Sequence, residues 1–573
     1  MSKSGDDTSD RGFLRGLQSY GDRDFSIYMR RAFAKSMGYT GEELGRPIVG
    51  IAYTHSRFNP CHRHFPELLD AIKRGVAAAG GLALEFPTTS LHESTLAPNS
   101  MKFRNLMAMD TEEMIRAQPM DAVVLMGGCD KTVPAQLMGA ASAGLPAIQV
   151  VTGPMSTGRH KGQRLAACTD CRSFWAKYRA GSVDSDEIET VEGRLSVTAG
   201  TCAVMGTAST MACLAEVLGM SLPGTAAIPA VHADRLRAGE ATGALAAELA
   251  RKPRRPSEIM TGKSVENAVR VLLALGGSTN AIIHLTAIAG RLGIAIPLQR
   301  LNELSETTPV LVNLKPTGPH YMEDFFAAGG IGAVLRELKP LLHLDCIDVT
   351  GETVGSRIEA EKNVFVDGDV VRPASDPLED KGGLIALFGS LAPRGAILKR
   401  SAADHLLFEK EGRAVVFTSL EDLAARMDDP DLDVTPDDVL VLQYAGPASP
   451  SGMPEAGYLP IPGKLARAGI KDMVRISDAR MSGTAFGTIV LHVTPEAAQG
   501  GPLALVRNGD RIKLSVSQKR LDVLVDESEL ARRRAEDERK RAALIPPQRG
   551  YAKLYHDSVL QADQGCDFDF LRG

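Results

Sequence analysis

The chain's 573 residues allow two large domains, or three to four ordinary ones at about 150 residues each. Lys plus Arg (65) nearly balances Asp plus Glu (70), leaving a net charge of −5 with no basic tract, which argues against a nucleic-acid partner. No apolar run approaches the ~20 residues of a membrane span, and the opening MSKSGDDTSDRGF lacks a signal-peptide core, so a soluble, cytoplasmic protein with no membrane partner is expected.

Pro47–Tyr53 predicts a buried strand, His64–Ala79 a helix, Leu82–Phe86 a short strand and Met101–Ala117 a helix with Met and Leu on one face. Asp121–Met126 (DAVVLM) is again strand-like; a Gly-Gly turn, a helix over Thr132–Ser142 and a strand over Pro146–Val151 follow. Continuous apolar strands alternating with helices predict an α/β fold with a parallel sheet covered on both faces. In such sheets ligands gather where strands end and helices begin. Val197–Gly293, rich in Ala, Gly, Ser, Thr and Met, predicts closely packed core helices.

Past the acidic Ser375–Asp380 come short strand-like runs at Ala396–Lys399, Arg413–Phe417, Val439–Tyr444, Gly487–Val493, Arg511–Val516 and Leu521–Val525. They predict a mainly β, barrel-like domain over residues 376–573, after an α/β domain over residues 1–375. Asp526 and Glu529 predict a capping box opening a charged helix, a solvated face, that runs to Ala543.

Several familiar signatures fail. In Gly128-Cys129-Asp130-Lys131-Thr132 an Asp stands where a phosphate-binding loop needs Gly. Gly276-Gly277-Ser278-Thr279-Asn280 lacks the last Gly of a nucleophile elbow. Eight cysteines in a chain with no export signal are poorly explained by disulfides. Cys61 (FNPCHRHF), Cys129 (MGGCDKT) and Cys202 (AGTCAVMG) each sit at a loop-to-helix junction, where amide N–H groups favour a thiolate. Three thiolates suit zinc or an iron–sulfur cluster, although separations of 68 and 73 residues match no zinc-finger spacing.

Cys168-Thr169-Asp170-Cys171 is the only CxxC and reads as two unrelated thiols, with a redox pair or half a zinc site as alternatives. His55, His62 and His64 near Cys61 are candidate metal ligands, substrate contacts or simply the start of a helix. Glu93 (TTSLHESTLAP), Asp130 beside Lys131, and Glu455 in YAGPASPSGMPEAG each read as a surface charge or a ligand; a loop as charge-poor as the last, with a single Glu, suits a hard cation. In ISDARMSGTAFGT, Ser482 and Thr484 flank Gly483, either as a Gly-rich turn or as a hydroxyl held by backbone donors.

Taken together, NPCH, GGCDKT, GTCAVMGTAST, GGSTNA, GMPE and SDARMSGTAFGT give a chain that resembles the dihydroxy-acid and phosphogluconate dehydratase family from about Arg11 to the final DFDFLRG. The wording of the last motif is similar to the sugar-acid (aldonate) branch. The resemblance implies a hydro-lyase that converts a 2,3-dihydroxy carboxylate such as L-arabinonate, D-xylonate or D-gluconate to the 2-keto-3-deoxy acid. It implies that Cys61, Cys129 and Cys202 hold a [2Fe–2S] cluster, and that Glu93, Asp130, a carbamylated Lys131 and Glu455 hold Mg²⁺. It further implies that Ser482, as an alkoxide, is the base with Thr484 beside it, and that the chain forms a homodimer or homotetramer. Because the cysteines fall in the first expected domain and Glu455 and Ser482 in the second, the site is expected in the cleft between them. Three other readings compete: the branched-chain dihydroxy-acid dehydratase of the same family, a non-catalytic iron–sulfur or zinc sensor, and a thiol oxidoreductase centred on Cys168 and Cys171.

Overall fold

The computed structural model describes residues 11–17, 20–543 and 545–573. Its N-terminal region is built on β1 (Ile48–Tyr53), β2 (Leu82–Pro87), β3 (Ala122–Gly127) and β4 (Ala147–Val151), a parallel sheet in the order β2-β1-β3-β4. β3 and β4 are buried along their whole length, as strands covered on both faces must be. The surrounding helices are α1 (Arg23–Ser36), α2 (Phe65–Ala78), α3 (Arg104–Ala117), α4 (Thr132–Ala143), α5 (Thr169–Arg179), α6 (Ser185–Leu195), α7 (Thr207–Val217) and α8 (Ala233–Leu249), and a hairpin of β5 (Gly158–His160) and β6 (Gln163–Leu165) precedes α5. Every residue of α7 is buried, as is every residue of the helix Asn280–Gly290, so the small-residue segments are core helices as their composition predicts.

One helix starts later than expected. The Asn99 side chain accepts from Met101 N at 2.8 Å and opens a 3₁₀ turn over Ser100–Phe103, so α3 begins only at Arg104.

The C-terminal region is an eight-stranded mixed sheet in the order β14-β13-β9-β10-β11-β12-β8-β7. Its strands are β7 (Leu384–Leu387), β8 (Gly395–Lys399), β9 (Glu409–Phe417), β10 (Val439–Leu442), β11 (Arg475–Ser477), β12 (Ile489–Thr494), β13 (Arg511–Ser515) and β14 (Arg520–Val523). The four central strands β9–β12 are parallel and the outer ones antiparallel. Phe388, directly after β7, bridges Arg520 of β14, which brings the two edge strands together and nearly closes a barrel. A separate apolar core fills this sheet, including Leu398, Val416, Val441, Ile476, Val490 and Leu514.

Strands β7 and β11 escape a reading by periodicity because four and three residues carry too little alternation. The charged helix forms over Glu527–Ala542, but Asp526 makes no side-chain cap bond. That helix is also more than a solvated face. Leu530, Arg533 and Asp537 are buried, Arg533 Nη1 donates to Leu505 O at 2.9 Å, and Tyr444 Oη donates to Asp537 at 2.6 Å. Among the described residues, no helix is long and apolar enough to cross a membrane.

Candidate active site

The strand order β2-β1-β3-β4 reverses its winding between β1 and β3, which opens a crevice at their C-terminal ends. Cys61 follows β1 in a 3₁₀ turn over Pro60–His62, and Cys129 follows β3 with a positive φ of 69°. His62 links the two turns. It is fully buried, with Nδ1 2.9 Å from Thr54 O and Nε2 3.0 Å from Gly128 O, and burial pushes it down to about 4, so the ring is neutral. The result is a group in which Cys61, Cys129 and His92 each bring one ligand atom within 4.8 Å of the others. The hydrogen bond shared by the two thiols lowers Cys61 to about 6 and raises Cys129.

Cys202 precedes α7, and its Sγ lies 3.3 Å from that of Cys168, the N-cap residue of α5. Hydrogen bonds from Cys171 and Cys202 hold the Cys168 thiol well below the ordinary range. Cys202 is raised by Cys168 and by burial, with the charges of Asp130 and Cys61 adding. A cleft of about 910 Å³ between α5 and the C-terminal region is lined by Cys168, Cys171, Arg172, Tyr458 and Phe486.

A second group forms beside the thiols. Glu93 (after β2), Asp130 (after β3) and Glu455 (after β10) bring carboxylate oxygens within 4.8 Å of one another. Two buried cations hold them. Lys131 Nζ is 3.1 Å from Glu93 and 3.4 Å from Asp130, while Arg480 donates from Nη2 to Glu93 and from Nη1 to Glu455, each at 2.6 Å. Burial pulls the Glu93 carboxyl upward, but Arg480 and then Lys131 outweigh it and leave it far below the usual carboxylate range. Glu455 goes the other way, pushed up to about 7 by burial and by the charge of Glu93.

Arg480 belongs to the loop from β11 to β12, which also carries Ser482 and Thr484. Asp478 anchors the root of this loop by accepting from Ala445 N at 3.0 Å and Ala497 N at 2.9 Å. Ser482 Oγ and Thr484 Oγ1 are 2.8 Å apart, and Thr169 Oγ1 donates to Thr484 O at 3.1 Å, tying the turn to the residue beside Cys168. Behind it, Gly483 lies so close to Ser278 and Thr207 that a Cβ would meet Ser278 Cβ and Oγ at 2.7 Å and Thr207 N at 2.8 Å. The motifs GTAST, GGSTN and SDARMSGT therefore fit against each other, which requires glycine at 483.

Two family models match the chain: the N-terminal model of the dihydroxy-acid/6-phosphogluconate dehydratases over residues 46–357 and the C-terminal model over residues 369–566. The chain belongs to that family. It is 47% identical to the L-arabonate dehydratase of Azospirillum brasilense over 98% of this chain and 97% of that one. It is 46% identical to the L-arabinonate dehydratase of Rhizobium leguminosarum (98% and 96%) and 44% identical to the 6-deoxy-6-sulfo-D-gluconate dehydratase of Pseudomonas putida (98% and 96%). The protein is a dehydratase, a hydro-lyase whose substrate is a small dihydroxy acid.

In this dehydratase Glu93, Asp130, Lys131 and Glu455 converge as one group. Cys61 and Cys129 bring their sulfurs within 4.8 Å of each other, whereas Cys202 falls outside that group and lies 3.3 Å from Cys168. Reading Cys168 and Cys171 as unrelated thiols is therefore corrected: Cys168 reaches a candidate ligand because α5 starts against the Cys202 loop. None of the three singled-out histidines joins the metal-capable groups. His62 is a clamp, His55 stacks on Tyr53 with ring centroids 5.6 Å apart, and His64 packs edge-on against Phe65. The histidine that does join is His92, next to Glu93, and the cation that bridges the carboxylates is Arg480. Both lie inside segments already singled out, two residues or fewer from a candidate.

Proposed function

We propose that this dehydratase removes water across C2 and C3 of an aldonate, with L-arabinonate and related sugar acids as substrates, to give the 2-keto-3-deoxy acid. The observation that carries the reading is the meeting of a thiol group, a carboxylate group and a hydroxyl pair along one seam between the parallel sheet and the barrel. The full-length similarity to relatives named for L-arabinonate, L-arabonate and a sulfogluconate favours aldonates as the substrate class.

The donor sets fit the two cofactors that the family implies. Sulfurs at the buried Cys61 and Cys129 and the half-buried Cys202 suit a [2Fe–2S] cluster, and the hard oxygens of Glu93, Asp130 and Glu455 suit Mg²⁺. Carbamylation of Lys131 would turn a cation into an anion, and a divalent ion restores the two charges lost, so the buried site keeps its net charge when loaded. When bound, the two groups supply Lewis acidity toward the C3 hydroxyl and the carboxylate end of the substrate.

The chain's own residues do the rest. Ser482 takes the C2 proton as an alkoxide, which Thr484 stabilises with its hydroxyl at 2.8 Å and its amide N–H at 3.4 Å. The electron pair freed at C2 forms the C2–C3 double bond while the C3 hydroxyl leaves with the proton that Ser482 took, as water, which restores the alkoxide. The enol then gives up its C2 hydroxyl proton and gains one at C3. Arg480 holds Glu93 and Glu455 in place and, with Lys131, keeps Glu93 ionised. A homodimer or homotetramer is the assembly proposed here, on the family resemblance alone.

The test is release of 2-keto acid from L-arabinonate, D-xylonate, D-gluconate and 2,3-dihydroxyisovalerate, with Ser482→Ala alongside. Turnover of the aldonates is expected, falling about 10²–10⁴-fold in the variant. Wild-type rates in Ser482→Ala, or turnover of the branched-chain acid alone, would overturn the reading.

A further inference from the structure

Lys399, the last residue of β8, is the buried ion that the reaction scheme leaves unexplained. Its side chain has no exposed surface, and among the described residues no carboxylate pairs with it. Its one polar contact among the described residues is the carbonyl of Gly483, 3.5 Å from Nζ. An ammonium without a counter-ion is among the costliest groups to bury, and burial alone pushes this one down to about 7. Stability gives no reason for such a residue, whereas its target does. Gly483 is the residue between Ser482 and Thr484, whose hydroxyls meet at 2.8 Å.

The turn has three other supports, one of them its own closing bond from Ala485 N to Ser482 O at 3.0 Å. Ser278 and Thr207 crowd the Gly483 Cα, and Thr169 holds the Thr484 carbonyl at 3.1 Å. None of these reaches the Gly483 carbonyl itself; among the described residues Lys399 is the group that holds that oxygen and adds its restraint to rotation of the peptide plane. Rotating it would swing the Thr484 N–H, which belongs to the same peptide, away from Ser482 Oγ.

We propose that Lys399 is a positioning residue of the dehydration, holding the Gly483 peptide so that the Thr484 amide and hydroxyl both face the Ser482 oxygen. The inference rests on the reading of Ser482 as the base. The amine donates to the carbonyl in either protonation state, so the contact persists on both sides of neutrality.

The test compares Lys399→Met and Lys399→Gln with wild type and Ser482→Ala, by steady-state kinetics on the best aldonate and by thermal melting. Lys399→Met is expected to lower kcat by about 10- to 100-fold, the cost of a misplaced reacting group, with KM within twofold. It is also expected to melt at a higher temperature, because a lone buried charge has gone. Lys399→Gln, which keeps an N–H donor, should recover part of kcat. Lys399→Met with wild-type kcat overturns the assignment, as does a lower melting temperature or loss of a cooperative melt in both variants, since either marks a structural residue. An inactive Ser482→Ala beside a fully active Lys399→Met removes only Lys399, whereas an active Ser482→Ala removes the base reading and this one with it.

Discussion

Buried charge in this protein is arranged in contrasting ways. Around Glu93 and Glu455 the acids are matched by Arg480 and Lys131, and the strain of burial falls mainly on Glu455. At Glu496 no cation among the described residues matches the charge. Its carboxyl accepts from Ala448 N at 3.0 Å and from Gln561 Nε2 at 2.6 Å, yet burial, with Asp478 adding, pushes it up to about 8. The folded state therefore holds a proton that the unfolded chain releases above about pH 4.3, and stability falls as pH rises through that window to about 8. Glu496→Gln cannot release a proton. Its melting temperature should gain on wild type steadily from pH 5 to pH 8, by up to about 1.4 kcal/mol of stability per pH unit. Parallel melting curves across that range would show that Glu496 is ionised in the fold.

At the scale of elements, each candidate ligand sits on a loop at the C-terminal end of a parallel strand or just before a helix: Cys61 after β1, Glu93 after β2, Cys129 through Lys131 after β3, Glu455 after β10 and Ser482 after β11. The β11–β12 turn is the most constrained of them, because Gly483 touches the segments that lead into two core helices. Gly483→Ala should displace this turn, costing about 1–3 kcal/mol of stability and about 100-fold in kcat; urea melts and keto-acid assays measure the two separately. An active, fully stable variant would mean that the turn has slack which the structure denies.

Legibility also divides at this scale. DAVVLM and PAIQVV announce buried parallel strands because they are apolar throughout, and Gly-flanked, small-residue segments announce core helices. Arg480 and His92 were illegible because a charged or polar residue beside a marked one looks the same whether it faces solvent or a buried carboxylate. Cys168 was illegible for a different reason. Its contact with Cys202 depends on where α5 begins relative to a loop 34 residues on, and no local pattern encodes that.

At the scale of the molecule, two sheets present the C-terminal ends of parallel strands to a common seam. Arg480 crosses it to Glu93, Asn99 reaches Gly452 O at 3.1 Å, and Thr169 reaches Thr484 O at 3.1 Å. Neither region alone carries a complete set of groups, which explains why both family models are matched in one chain. The central claim is that three cysteines distant in sequence hold one iron–sulfur centre along this seam. The most direct measurement is iron and acid-labile sulfide per chain in anaerobically purified wild type, Cys202→Ser and Cys168→Ser. The account predicts about two iron and two sulfide in wild type, loss in Cys202→Ser and retention in Cys168→Ser. A centre that survives Cys202→Ser and vanishes in Cys168→Ser, or zinc in place of iron, would contradict it.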